Sequence, residues 1–331
     1  MMHLTSKKNK ALSVAFLFGI IGALIAVFVL VNAEDDSSPI VSDQQSEVPT
    51  SLVNSALQVD YSKHNIPLDE ILSGGPGKDG IPALTNPEFV KVDNAEIADS
   101  TETIVVTINN ETKAYPYSIM VWHEIVNDTI AGEEVAVTFC PLCGSAVVFD
   151  RSLNGDVLEF GVSGFLYESN LLLYDRSPSE SLWSQSRGEA VVGEKSGQTL
   201  SYVDFSLVRF SDVKENYPDA LVLSKNTGYS RDYTSNPYSG YEEIDQTYFP
   251  VSVEDKRFPP KELFYVVPLE GFSVAFQLDK EDGIYSVPES DIVVEYFNGQ
   301  PTAKWGEATL PGYYEMWFSW ATHNQDSGIV I

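Results

Sequence analysis

Sulfur and positive charge are the two things this chain is short of. Cysteine occurs only at Cys140 and Cys143, so there is no disulfide framework and no second cysteine knuckle to complete a four-sulfur zinc ribbon. Lys and Arg total 20 against 48 Asp and Glu, a formal charge of −28. Such a surface repels phosphate backbones and anionic lipid, which argues against nucleic-acid binding and electrostatic membrane adhesion. It suits solubility or a salty medium, with weak attraction of divalent cations as the other reading. Histidine is nearly as rare, at His3, His64, His123 and His323. No P-loop, dinucleotide-binding glycine pattern, His-Glu-x-x-His pair or haem-attachment motif occurs, and Cys143 is followed by Gly144 rather than histidine. Gly161-Val162-Ser163-Gly164 lacks the second spacer of a nucleophile elbow, which disfavours a serine hydrolase.

What the chain does have begins with one long uncharged run, Ala11 to Val31, about the ~20 residues that span a bilayer core. Lys7, Lys8 and Lys10 before it and Glu34, Asp35 and Asp36 after it predict residues 1–10 on the cytoplasmic side and the body outside. The expected organisation is a transmembrane helix or signal anchor over 11–31, a flexible acidic Ser-rich linker over 32–58, and one extracytoplasmic globular domain over 59–331. Cleavage after Val31-Asn32-Ala33 is the competing reading and would leave the domain secreted.

Strand signals dominate the domain. Thr103 to Ile108, Asn109-Asn110 and Lys113 to Tyr115 read as one hairpin; Val135 to Phe139 and Ala146 to Phe149 make a second around the cysteines. Further strands are expected at Val157 to Gly161, Leu171 to Tyr174, Leu200 to Val203, Ala220 to Leu223, Phe264 to Val267, Ser273 to Gln277, Ile292 to Phe297 and Met316 to Trp320. Helices are expected only at Ser118 to Val126 and Ser211 to Asn216. The fold class is mostly β with a few short helices, a β-rich α+β domain. Asn110-Glu111-Thr112 and Asn127-Asp128-Thr129 are glycosylation acceptor patterns.

Three motifs together are specific: Asp79-Gly80-Ile81-Pro82-Ala83, Trp122-His123-Glu124-Ile125-Val126-Asn127-Asp128 and Thr138-Phe139-Cys140-Pro141-Leu142-Cys143-Gly144. With Tyr174-Asp175-Arg176, Ser181-Leu182-Trp183-Ser184-Gln185, Arg231-Asp232-Tyr233 and Asn236-Pro237-Tyr238, the chain resembles the uncharacterised family DUF3179 from about Leu68 to Asp326. The resemblance implies an exported or membrane-tethered protein. Some members carry selenocysteine at a cysteine position, which implies redox chemistry. Where the family pattern leads one to expect His-Pro, this chain has Tyr217-Pro218, so that position is not expected to be an essential ligand.

Three readings of Cys140 and Cys143 stay open. No helix signal follows Cys143, unlike a thioredoxin-type pair whose first cysteine opens a helix. A Cys-Pro-x-Cys-Gly turn between strands is similar to the metal knuckle of rubredoxins and zinc ribbons, which favours copper or zinc, with His123 as the leading further ligand and Glu124 as an oxygen ligand or orienting group. Thiol-disulfide redox by the same pair is the alternative function, and a structural disulfide the third reading of the sulfurs. A non-catalytic cell-surface binding module using Tyr229, Tyr233, Tyr238 and Tyr241 to stack on sugar or peptide is a further possibility, although Tyr-rich loops commonly just pack over a sheet edge. Asp150-Arg151, Glu168, Asp175-Arg176, Glu180 and Gln185 crowd polar groups after the cysteines, either as salt bridges in turns or as a cleft.

Overall fold

The structure, a computed structural model, describes residues 48–278 and 281–325 and the backbone of 328–330. The expected membrane run Ala11 to Val31 lies outside the described residues; among those described, no helix is long and apolar enough to cross a membrane. The domain begins earlier than the linker expectation placed it. Thr50–Val53 is already a helical turn, and Leu52 and Leu57 are buried with Ile66, Leu68 and Ile71, because these apolar side chains have a sheet face to cover.

Three five-stranded and two four-stranded sheets carry the described residues, with one two-stranded ribbon. The expected hairpin around Asn109-Asn110 is present as Glu102–Ile108 paired with Glu111–Pro116. Both asparagines hold φ near +47° and +68°, the left-handed conformation that Asn tolerates in a tight two-residue turn. Ile104 and Val106 face one core and Val105 another, so the strand reads as an unbroken apolar run because both its faces are covered.

Two sheets frame the cysteines. In the first, Ser201–Tyr202, Ser145–Asp150, Glu133–Cys140, Ile125–Ile130 and Leu84–Thr85 lie side by side, with Cys140 opposite Ser145 at the end of the central hairpin. In the second, Leu72–Ser73, Phe160–Tyr167, Asn170–Asp175, Ser181–Ser184 and Glu189–Gly193 form a meander. The largest apolar core joins both to Phe264, Trp317 and Trp320, and the two cysteines belong to it. Each fully buried Phe there, such as Phe149 and Phe160, stabilises the fold by roughly 1.5–3 kcal/mol.

Three expectations change. Val157 to Gly161 is not one strand: Asp156–Val157 belongs to a two-stranded ribbon, and Phe160–Tyr167 starts a new strand after Leu158 and Glu159. Met316 to Trp320 is not a strand: the strand Tyr313–Met316 ends there and the helix Trp317–His323 follows. Every residue from Trp317 to Thr322 is buried, so neither a period of two nor of 3.6 shows in the apolar pattern. The helix expected over Ser118 to Val126 covers only Tyr117–Met120. Glu124 takes φ +59°, and Ile125 starts a strand whose β-branched residues pair with Glu133–Cys140. The other short helix is Phe210–Asn216, close to expectation.

Candidate functional site: the Cys-Pro-Leu-Cys turn

The strand Glu133–Cys140 runs into the turn and Ser145–Asp150 leaves it. The turn closes with the Cys143 N–H donating to Cys140 O at 3.2 Å, and Met316 N–H donates to Cys143 O at 2.9 Å. Gly144 is required here: its φ is +58°, and a Cβ would meet Met316 Cε at 3.0 Å. Both cysteines are free thiols, 1% and 0% exposed.

The two sulfurs differ in their surroundings. Burial pushes the Cys140 thiol up, but the Cys143 thiol and the backbone N–H groups of Leu171, Cys143 and Leu142 more than offset it, so its pKa is lowered. Cys143 goes the other way: burial, the hydrogen bond with Cys140, the charge on that sulfur and then Glu315 all raise it well above the usual thiol range. Asn170 Nδ2 donates to Cys143 Sγ at 3.3 Å, and the Cys143 thiol faces Ser169 O at 3.4 Å. Ser169 reaches this place because Glu168 and Ser169 both adopt positive φ, +50° and +63°, in a tight hairpin turn.

Two buried carboxyls flank the pair. Glu124, 5% exposed, is raised well above the carboxylate range by burial and by charge on Cys140. It lines a cavity of about 260 Å³ with Leu142, Leu171 and Tyr238. Glu315, fully buried, is pushed by burial up to about 7, although Ser319 and Ser186 both donate to its Oε1, at 2.6 and 3.0 Å. The Ser319 hydroxyl lies between Glu315 and Cys143.

His123 is oriented by other partners. Its Nδ1 lies 2.7 Å from Pro82 O and its Nε2 2.8 Å from Tyr233 Oη. A carbonyl can only accept, so Nδ1 carries the proton and Tyr233 donates to Nε2. Burial lowers the His123 pKa, which agrees with a neutral ring. Both ring nitrogens are thus engaged, and ligation by His123 requires one of these bonds to break. Among the described residues, no group of three or more His, Cys, Asp and Glu side chains is arranged to hold a metal ion. The structure brings Cys140, Cys143 and Glu124 together and turns His123 to the Tyr-rich loop.

A family model described as "Protein of unknown function (DUF3179)" matches residues 78–304. The chain belongs to the DUF3179 family. No curated protein and no solved structure matches it. The DUF3179 motifs quoted above mostly build the frame of the turn. Gln185 receives the Ser145 hydroxyl and Asn170 amide on Oε1, both at 3.0 Å, and donates to Thr138 Oγ1 at 3.2 Å. Asp175, fully buried, accepts from Trp183 Nε1 at 2.8 Å, Lys195 Nζ at 3.1 Å and Ser177. Asp79 holds Tyr174 and Arg176 at 2.6 and 2.7 Å. Ser163 is buried and donates to Leu172 O, which is a core role and not a nucleophile's. Asn127 is fully buried with Nδ2 bonded to Phe160 O at 2.8 Å, so of the two glycosylation patterns only Asn110 is exposed.

Sequence reasoning missed Asn170, Glu315 and Ser319. Glu315 had one visible signal: it is the single acid within the apolar run from Tyr313 to Ala321, where a charge has to be buried with partners. Asn170 and Ser319 carried none.

Proposed function

We propose that this DUF3179 protein is a thiol-disulfide redox protein, acting on the extracytoplasmic side of a membrane, with Cys140 as the attacking thiolate and Cys143 as the resolving thiol. The observation that carries the reading is geometric: two adjacent free thiols close one turn, with Asn170 Nδ2 and Ser169 O on Cys143 Sγ and the buried carboxyls of Glu124 and Glu315 beside them, and the opposite pKa directions of Cys140 and Cys143 agree with it. A lowered pKa supplies the thiolate, and a raised one keeps the second sulfur protonated until the first has reacted.

In the proposed sequence, the Cys140 thiolate attacks one sulfur of a small disulfide, forming a mixed disulfide and releasing the other half as a thiolate. Glu124, held protonated beside Cys140, supplies that leaving sulfur's proton. Cys143 then gives its proton towards Glu315 through Ser319, attacks the Cys140 sulfur, and releases the second half. The substrate gains two electrons and the protein holds a Cys140–Cys143 disulfide. The cavity beside Leu142 and Leu171 is the route for the substrate disulfide.

Equilibration of the purified chain with reduced and oxidised glutathione, followed by alkylation and mass measurement, tests the reading. A two-electron step is expected, with Cys143→Ser trapping glutathione on Cys140 and Cys140→Ser trapping none. Thiols that stay reduced in every buffer until the protein unfolds refute it, as does stoichiometric copper or zinc that survives purification and disappears in Cys140→Ser.

A further inference from the structure

We infer that a cleft on the Pro141 side of the turn is a binding site for a small organic cation carrying a primary ammonium group. The cleft has a volume of about 280 Å³, and Glu102, Tyr117, Ser118, Phe139, Tyr241 and Glu242 line it beside Pro141. It is separate from the cavity next to Glu124, and nothing in its argument depends on redox chemistry at the sulfurs.

Five buried side-chain polar atoms among the described residues lack a hydrogen-bond partner, and three of them, Tyr117 Oη, Ser118 Oγ and Tyr241 Oη, belong to this one cleft. Tyr241 is 1% exposed. An unsatisfied buried hydroxyl costs roughly 1–3 kcal/mol, so three around one space mark a place where a ligand supplies what the protein does not. Each hydroxyl is able to accept a hydrogen bond, and an ammonium has three donors and no acceptor.

Charge selects among ligands that donate. Two carboxyls line the cleft and no Lys, Arg or His does. Glu102 and Glu242 are both exposed residues of the lining; partial loss of water around Glu102 raises its pKa, and Glu242 raises it further. Arg209, its register partner on the adjacent strand, offsets this only in part. Lys261, whose Nζ bonds the carbonyls of Tyr241 and Gln246 and lies 3.4 Å from the centre of the Tyr241 ring, interacts with Glu242 and offsets part of that charge, leaving Glu102 the less compensated carboxyl. A cation relieves the Glu102–Glu242 repulsion, whereas a carboxylate or phosphate adds to it. The lining also includes the rings of Tyr117 and Phe139, packed on each other with centroids 4.1 Å apart, and aromatic rings favour an ammonium over an anion. A neutral sugar meets the same hydroxyls but leaves the carboxyls repelling each other.

Calorimetric titration of the full-length chain with cadaverine at neutral pH is the test, with maltose as the neutral probe and glutarate as the anionic one. Saturable one-to-one binding of cadaverine is expected, weakened about tenfold or more in Glu102→Gln/Glu242→Gln. Tyr241→Phe should weaken it several-fold, and Glu289→Gln, an exposed acid elsewhere, should leave it unchanged. Alkylating both thiols should not abolish it, which separates this site from the redox reading. Binding of cadaverine unaltered in the double variant overturns the assignment. So does maltose or glutarate binding as tightly as cadaverine, or the absence of cadaverine binding at millimolar concentration.

Discussion

Glu315→Gln should change how stability depends on pH, and the size follows from where the carboxyl sits. It is fully buried, and burial raises its pKa from the ordinary 4.5 to about 7. The folded state therefore holds the proton more tightly than the unfolded chain does. Its contribution is complete below pH 4.5 and is lost as pH rises through about 7. A displacement of that size corresponds to about 3 kcal/mol. Glutamine keeps the shape and the Oε1 that accepts from Ser319 and Ser186, but it does not ionise. Urea melts followed by tryptophan fluorescence at pH 5 and pH 8 should show the variant losing about 2.5 kcal/mol less than the parent across that interval, since part of the effect is already gone at pH 5. Taking the difference between the two proteins cancels the titrating groups that do not interact with Glu315. The same substitution removes a charge that raises Cys143, so its thiol should alkylate at lower pH than in the parent. Equal pH slopes in both proteins would refute the burial argument.

Gly144→Ala should destabilise the domain by about 1–3 kcal/mol in urea melts, because positive φ and contact with Met316 act together. His123→Ala leaves the Pro82 carbonyl without its imidazole donor and the Tyr233 hydroxyl with Thr227 alone, a loss of about 1–3 kcal/mol, with faster proteolytic cutting between residues 224 and 262. Since burial lowers the His123 pKa below its ordinary 6.5, the parent should also lose stability as pH falls below 6.5, and the variant should lack that part of the loss. Asp175→Asn weakens a buried carboxylate's bonds to Trp183, Lys195 and Ser177. A cost of about 3 kcal/mol and an altered tryptophan emission are expected.

Much of the sheet structure was legible from local signals. Asn109-Asn110 marked its hairpin because few residues tolerate that turn, and the cysteine hairpin was placed to within a residue or two because β-favouring runs, Val135 to Phe139 and Val147 to Phe149, flank a turn that holds a Pro and a Gly. The segment from Trp317 to Thr322 was illegible because burial all round erases the pattern that separates helix from strand. At the site, Cys140, Cys143 and Glu124 were readable from closeness in sequence. Glu315 and Asn170 arrive from strands far along the chain, and only packing brings them in. His123 was assigned towards the sulfurs on proximity; Tyr233, far downstream, determines its hydrogen bonding instead.

The stretch 224–262 contains no strand or helix, yet it supplies Tyr238 and Tyr241, both of which sense the charge of the sulfurs. Its anchors include single side-chain bonds such as Tyr233 to His123, Trp122 Nε1 to Ser235 O, and Trp317 Nε1 to Asp255 O. A cover fastened by a few pins lifts for far less energy than a sheet comes apart. Hydrogen exchange in that cover should accordingly outpace exchange in the strands beneath it, and oxidants should gain entry at the rate the pins release.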